Sequence, residues 1–313
     1  MSGAAIVLVA LVLDVALGWP KWLYVAIGHP VTWIGALIAR LDAWLNLDEA
    51  DERGRRNSGI VAALVVIMVA ANLAWTLTWF LPSGWTGILL GGILAWPFIA
   101  LRSMHEHVAA VAKPLEVGDL DGARHAVSMI VGRDPARLDE SGVARAAIES
   151  LAENTSDGIV APVFWGVIFG LPGLAAYKAI NTLDSMIGHR TPRHEAFGWA
   201  SARIDDVVNL IPARLTGLLF AAVSTRPKEA LATMGRDAGH HRSPNAGWPE
   251  AAMAGALGIR LSGPRVYADR VADEPWVNAG AADPGAADIR RALGLYRFAM
   301  LALAAIVALC ALI

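Results

Sequence analysis

Apolar runs alternate with long polar ones along the chain. Residues 1–18, 59–81, 85–101, 159–177, 207–224 and 294–313 are poor in charge and reach or approach the ~20 apolar residues that a bilayer requires. Polar regions 19–58, 102–158, 178–206 and 225–293 separate them. The pattern predicts an all-α, polytopic integral membrane protein with about four to six membrane segments, two of them half-spans, plus helical cytoplasmic regions. The first run lacks a basic n-region and continues into "LGWP" instead of a small-residue cleavage site, so it is expected to be retained.

Charge orients these segments. Lys21, Arg40, Arg53, Arg55 and Arg56 place 19–58 in the cytoplasm with the N-terminus outside. The turn "LPSG" at 81–84 then becomes an external hairpin, and Arg102 marks the next cytoplasmic exit, so 102–158 is cytoplasmic. Run 159–177 is interrupted by "GLPG" at 170–173, and 207–224 holds Pro212 and Arg214 in "IPARL"; these two are half-spans or interfacial helices. Lys178, Arg190, Arg193 and Arg203 favour the cytoplasm for 178–206. The side on which 225–293 lies follows from whether 207–224 crosses. We read 1–313 as one membrane domain: spans over 1–101, a motif-bearing helical region over 102–293, and a C-terminal span over 294–313. "VNAGAADPGAADI" is Gly/Ala/Asp/Pro-rich and is expected to be a mobile loop.

In "RDPARLDESGVARAAIESLAENTSDG" the pattern predicts a helix capped by Asp134, with Pro135 in its first turn and Gly158 at its end. Val143, Ala147, Ile148 and Leu151 form its apolar stripe. Glu149, Glu153 and Asp157 recur every four residues, which puts three acids on a neighbouring face if the helix persists to its end.

Composition narrows the class. Of 313 residues 56% are hydrophobic and 17% charged, with 12 Trp, far more apolar than a soluble domain. A net charge of -2 argues against nucleic acid as a partner. One cysteine, Cys310, excludes an intramolecular disulfide and a Cys metal cluster. P-loop, GxGxxG, HExxH and GxSxG patterns are absent.

Candidate chemistry therefore rests on looser clusters. Glu149, Glu153, Asn154 and Asp157 offer oxygen ligands suited to Mg²⁺ and the phosphates it carries, although a solvated helix end has the same composition. Asn181 and Asp184 share a helix face, bracketed by Lys178, His189 and Arg190, with Asp205, Asp206 and Asn209 beyond; acids beside cations suit phosphoryl transfer, and an interfacial belt of snorkelling side chains looks alike. In "GHHRSPNAGWPEAAMAGALGIRLSGP" a helix is expected to start at Pro249, with Glu250 in its first turn and small residues allowing close approach of a ligand or helix. His240, His241 and Arg242 precede it as a solvated or phosphate-binding group. Asp14 lies inside the first run and His29 follows a turn. His105 and His107 are two apart and so do not form a metal site on one helix face.

These segments resemble a known family. "LDVALGWP", "HPVTWIG", "ESLAENTSDGIVAPVFW", "YKAINTLDSMIGHR", "FGWASARIDDVVNLIPARLTG" and "SPNAGWPEAAMAGALG", in this order over nearly the whole chain, are similar to the CobD/CbiB membrane proteins of cobalamin (vitamin B12) biosynthesis. One departure is Trp19, where relatives commonly have an acid, so no role is carried to it. The resemblance implies an adenosylcobinamide-phosphate synthase: ATP- and Mg²⁺-dependent amide formation between the free propionate of adenosylcobyric acid and (R)-1-amino-2-propanol O-phosphate. It implies Glu153, Lys178, His189 and Arg190 as catalytic groups, and Glu149, Glu153, Asp157 and Asp184 as Mg²⁺ ligands. Asn154, Asn181, Ser243, Asn245, Glu250 and Arg214 are implied to bind nucleotide or corrinoid. The partners expected are these small molecules and the lipid bilayer, with homo-oligomers or complexes with other pathway enzymes allowed. Cobalt arrives within the corrinoid and needs no protein ligand. The implied location is the cytoplasmic membrane, with the site on its cytoplasmic face. Two other readings compete: a non-catalytic membrane sensor or assembly protein of the same superfamily, against which the retained "AENTSDG" and "NAGWPE" weigh, and a prenyltransferase, whose paired Asp-x-x-x-Asp motifs are missing.

Overall fold

The computed structural model describes residues 2–132, 134–189, 191–267, 270–272 and 274–313, with backbone alone for 265–267 and 270–272. The described chain is helical. Its helices are α1 (Gly3–Leu17), α2 (Lys21–Ile27), α3 (Pro30–Leu45), α4 (Glu52–Trp79), α5 (Trp85–Ala95), α6 (Leu101–Glu116), α7 (Leu120–Ser128), α8 (Glu140–Thr155), α9 (Ala161–Ile187), α10 (Trp199–Val208), α11 (Leu210–Val223), α12 (Pro227–Asp237), α13 (Gly247–Leu257) and α14 (Ala286–Leu312). Four strands of two or three residues, β1 (Leu261–Ser262), β2 (Arg265–Tyr267), β3 (Arg270–Ala272) and β4 (Trp276–Val277), form two antiparallel pairs, β1 with β4 and β2 with β3.

Five stretches are long and apolar enough to cross a membrane: Lys21–Leu45, Glu52–Trp79, Trp85–Glu116, Glu140–Ile187 and Ala286–Leu312; α10 and α11 make a sixth if counted together. The membrane class is as expected, but the first two segments differ from the reading above. α1 has 15 residues, short of a full crossing, while 19–58, read as polar, contains the apolar pair α2 and α3. Most of the charges there lie at 48–56, after α3 and at the start of α4, while α2 and α3 carry only Lys21, Arg40 and Asp42. His29 caps α3 by accepting the Val31 N–H, with Pro30 at the first helical position, so a turn residue starts a helix that the charge count had hidden.

The chain folds into two compact units. One comprises Met1–Ala100, Ala161–Asn209 and Ile306–Ile313; the other comprises Leu101–Val160 and Leu210–Ala305. In the first, α4 packs on α3, α9 and α10 around Ile38, Ala63, Val66, Leu183 and Phe197. α9 breaks where "GLPG" predicts: Gly170 has φ 66° and ψ -154°, with Pro172 two residues on.

In the second unit α8 is packed by α6, α7 and α13, and α13 by α11 and α12. Val143, Ala147, Ile148 and Leu151 are fully buried, as the stripe predicts. The cap is not where the sequence suggests. Asp139, not Asp134, accepts the Gly142 N–H at 2.7 Å and starts α8, while Asp134 closes its own turn on Ala136 N–H. Gly158 does not end the helix either; it lies in a π turn, Ser156–Val160, directly before α9. Nor is "VNAGAADPGAADI" a mobile loop: β4, a turn at 278–280 and the Ile259–Ala282 bridge order its first half, and α14 begins at Ala286.

Candidate functional site

In the second unit the predicted acids sit in different surroundings. Glu149 is buried, 6% exposed, and its Oε1 accepts the backbone N–H of Ser262 at 2.7 Å. Glu153 is exposed, and Asp157 is half-buried in the π turn. Glu149 and Glu153, one turn apart on α8, thus differ in burial, and the regular helix does not persist to Asp157: α8 ends at Thr155 and Asp157 lies in the π turn. Asn154 turns its amide back onto the Ser150 carbonyl at 2.9 Å and the Ser150 hydroxyl at 3.2 Å, and Ser150 donates to the Ile130 carbonyl. Among the described residues no three His, Cys, Asp or Glu side chains gather closely enough to hold a metal ion.

The loop before α13 is tied by several local hydrogen bonds. The Ser243 hydroxyl accepts the N–H groups of Asn245 and Ala246, a Ser turn that launches α13. Gly258, at φ 69°, ends it. Glu250 lies in the first turn of α13 as expected, but it is 1% exposed. His241, read as solvated or phosphate-binding, is half-buried with its side chain against Glu250: Nδ1 accepts the Ser243 N–H at 3.0 Å, which leaves the ring proton on Nε2, 3.8 Å from Glu250 Oε1. The small residues of α13 serve helix packing. A Cβ on Gly255 would meet the Glu229 carbonyl at 2.6 Å and Ala230 Cα at 2.8 Å. Arg214, costly in an apolar helix without partners, stacks 4.2 Å over the Trp248 ring and donates to the Leu210 carbonyl.

Two further ties were not legible in the sequence. Asp283 accepts from Arg145 at 2.6 Å and from Arg260 at 2.8 Å, and both guanidiniums lie over Trp276. The Arg260 hydrogen bond, joined by Arg145 and opposed by modest burial, holds the Asp283 carboxyl down at about 2. Burial pushes the Asp237 carboxyl up, but hydrogen bonds from Arg236 and the Asn278 N–H outweigh it and keep that group below the ordinary range.

In the first unit, Lys178 Nζ donates to Asn181 Oδ1 at 3.2 Å, as their spacing on α9 predicts. Asp184 is half-buried within electrostatic reach of His189 and Asp206, and His189 is exposed. Arg190 lies outside the described residues. Asp205 and Asn209 are buried: Asn209 Nδ2 donates to Asp205 at 3.0 Å and Asn209 Oδ1 accepts from the Tyr177 hydroxyl at 2.9 Å. His29 and Trp19 meet edge to face at 4.7 Å, with Trp96 on Trp19 at 5.3 Å. Asp14 is 4% exposed. His107 bonds its own helix through Ser103, and His105 lies against Tyr296.

The family model described as CobD/Cbib protein matches residues 7–296 of this chain. The chain is 67% identical to the cobalamin biosynthesis protein CobD of Rhodobacter capsulatus, over 99% of this chain and 98% of that one. It is 48% identical to the proteins of that name from Rhizobium meliloti (93% and 91% covered) and Brucella suis (92% and 90%). No solved structure matches it.

Proposed function

Since the chain belongs to the CobD/CbiB family, we propose that it is the adenosylcobinamide-phosphate synthase of cobalamin biosynthesis. That it is a cobalamin-biosynthesis protein of this family follows from the 67% identity over 99% of its length, the observation that carries the reading. The finer reading is an ATP-dependent acid–amine ligase. An unactivated carboxylate does not condense with an amine in water. In the proposed reaction the corrinoid propionate attacks the γ-phosphorus of ATP, giving an acyl phosphate and ADP. The amine of aminopropanol phosphate then attacks the acyl carbon, forming the amide and releasing phosphate and a proton.

The side chains support this chemistry. Glu153 and Asp157, at the end of α8, supply oxygen ligands at an accessible edge. Mg²⁺ usually keeps several waters and takes one or two protein carboxylates beside nucleotide phosphates, so Glu153 and Asp157 would be enough to hold it. When bound, Mg²⁺ would offset charge on the transferring phosphoryl group. In the first unit, taken by itself, Lys178 and His189 are cations suited to phosphate oxygens, as is Arg190 by residue type; Asn181 accepts from Lys178, and Asp184 lies within electrostatic reach of His189. The Ser243–Glu250 loop and Arg214 are held firmly enough to serve as a rigid wall for a large substrate. The proposed site faces the cytoplasm, where ATP is available.

The test is mass spectrometry on detergent-purified protein given adenosylcobyric acid, aminopropanol phosphate, Mg²⁺ and ATP. ATP-dependent appearance of the condensed amide is the expected result. Folded protein that leaves both the corrinoid and ATP unchanged would overturn the reading.

A further inference from the structure

Residues 258–285 leave α13 and return to α14, and their ends are tied to each other. β1 pairs with β4, the Arg260 N–H donates to the Ala282 carbonyl, and Asn278 Nδ2 holds the Ile259 carbonyl at 3.0 Å. This base turns through left-handed backbone at two non-glycine positions, Ser262 with φ 58° and Asn278 with φ 57°, followed at 263 by glycine with φ 88°. Such residues persist only where their surroundings hold them.

At Asn278 the hold is the Asp237 carboxylate, which accepts the backbone N–H at 2.7 Å. At Ser262 it is Glu149. The two bonds are alike: a carboxylate from a neighbouring helix takes the N–H of a left-handed residue. Glu149 and Ser262 are 6% and 5% exposed, so water does not replace this bond readily, and a charge-assisted bond of 2.7 Å is stronger than a neutral one. One turn earlier on α8, Arg145 grips the same base through Asp283 and lies over Trp276.

We infer that Glu149 is a positioning residue whose carboxylate fixes the Ser262–Gly263 turn against α8, and that metal ligation on α8 falls to Glu153 and Asp157. The backbone tie stands by itself; its consequence for turnover rests on the synthase reading. Burial separates the duties. The acid nearest the core carries a backbone bond, and the acid one turn further on carries the solvent-facing edge.

Hydrogen exchange of the Ser262 amide and the Mg²⁺ dependence of amide formation, compared in wild type, Glu149→Gln and Glu149→Ala, test this. Glu149→Gln keeps an acceptor oxygen, so Ser262 is expected to exchange within about threefold of wild type with the Mg²⁺ half-saturation unmoved, whereas Glu149→Ala speeds exchange about tenfold or more. Slow exchange in Glu149→Ala would overturn the inference. So would a Glu149→Gln protein whose Mg²⁺ requirement rises about tenfold while Ser262 stays protected, the signature of a lost ligand. If Glu149→Ala does not fold, the glutamine variant decides through the same two readouts. If wild type forms no amide, the synthase reading fails, and exchange in the variants still judges the tie.

Discussion

The Tyr177 hydroxyl donates a 2.9 Å hydrogen bond to Asn209 Oδ1, and Asn209 passes its own Nδ2–H to Asp205 at 3.0 Å. Tyr177 and Asn209 are 2% and 0% exposed, so the asparagine amide has one orientation and little access to water. The chain of bonds ties α9 to the end of α10 within one unit. Tyr177→Phe removes the donor and leaves the amide oxygen buried without it, an expected loss of about 1–3 kcal/mol. Thermal melting in detergent measures it, and the double variant with Asn209→Ala should lose less than the sum of the two singles.

Glu153 is exposed on α8, away from the packed stripe. Glu153→Gln is therefore expected to abolish amide formation, by about 100-fold or more if it loses a charge-stabilising ligand, while membrane insertion and melting temperature stay near wild type. Turnover at the wild-type rate would remove Glu153 from the site.

Asp283 titrates near 2 in the folded protein against an ordinary value of 3.8. A carboxyl whose folded pKa is depressed contributes its stability in full above the unfolded value and loses it as pH falls through the folded one. The difference in melting temperature between wild type and Asp283→Asn should thus be constant above about pH 4 and shrink between about pH 4 and pH 2. A difference that first grows above pH 5 would contradict the assignment.

Gly255 lies where α13 meets the backbone of α12 at Glu229 and Ala230. Backbone cannot step aside as a flexible side chain can, so Gly255→Ala is expected to destabilise by about 1–3 kcal/mol despite alanine's better helix propensity. Gly294→Ala, where an added Cβ meets nothing within 4 Å, is the control and should be neutral or slightly stabilising.

Much of the candidate site's local geometry could be read from spacing. Lys178 and Asn181 are three apart on a helix and bond; Pro249 and Glu250 lie in the first turn of a helix that starts at Gly247; Gly170 and Pro172 do break one. These are interactions within a turn or two of chain, where 3.6-residue periodicity and backbone chemistry set the answer. Spacing misled where several cap residues stood close together, as with Asp134 and Asp139, and it did not show that α8 gives way to a π turn before Asp157.

The amino-acid sequence alone determined that this is a helical membrane protein, because apolar length and the need to satisfy backbone groups in lipid leave few other outcomes. It also determined the family, through motifs long enough to be specific. Only the tertiary structure decided which polar residues are inside. The His241 side chain lies 3.8 Å from the buried Glu250; the buried Glu149 holds the Ser262 N–H; Arg145 and Arg260 converge on Asp283. The physical reason is the same in each case. A helix periodicity gives the direction of a side chain, but its burial and partners depend on what a segment tens of residues away, 113 for Glu149 and Ser262, brings against it.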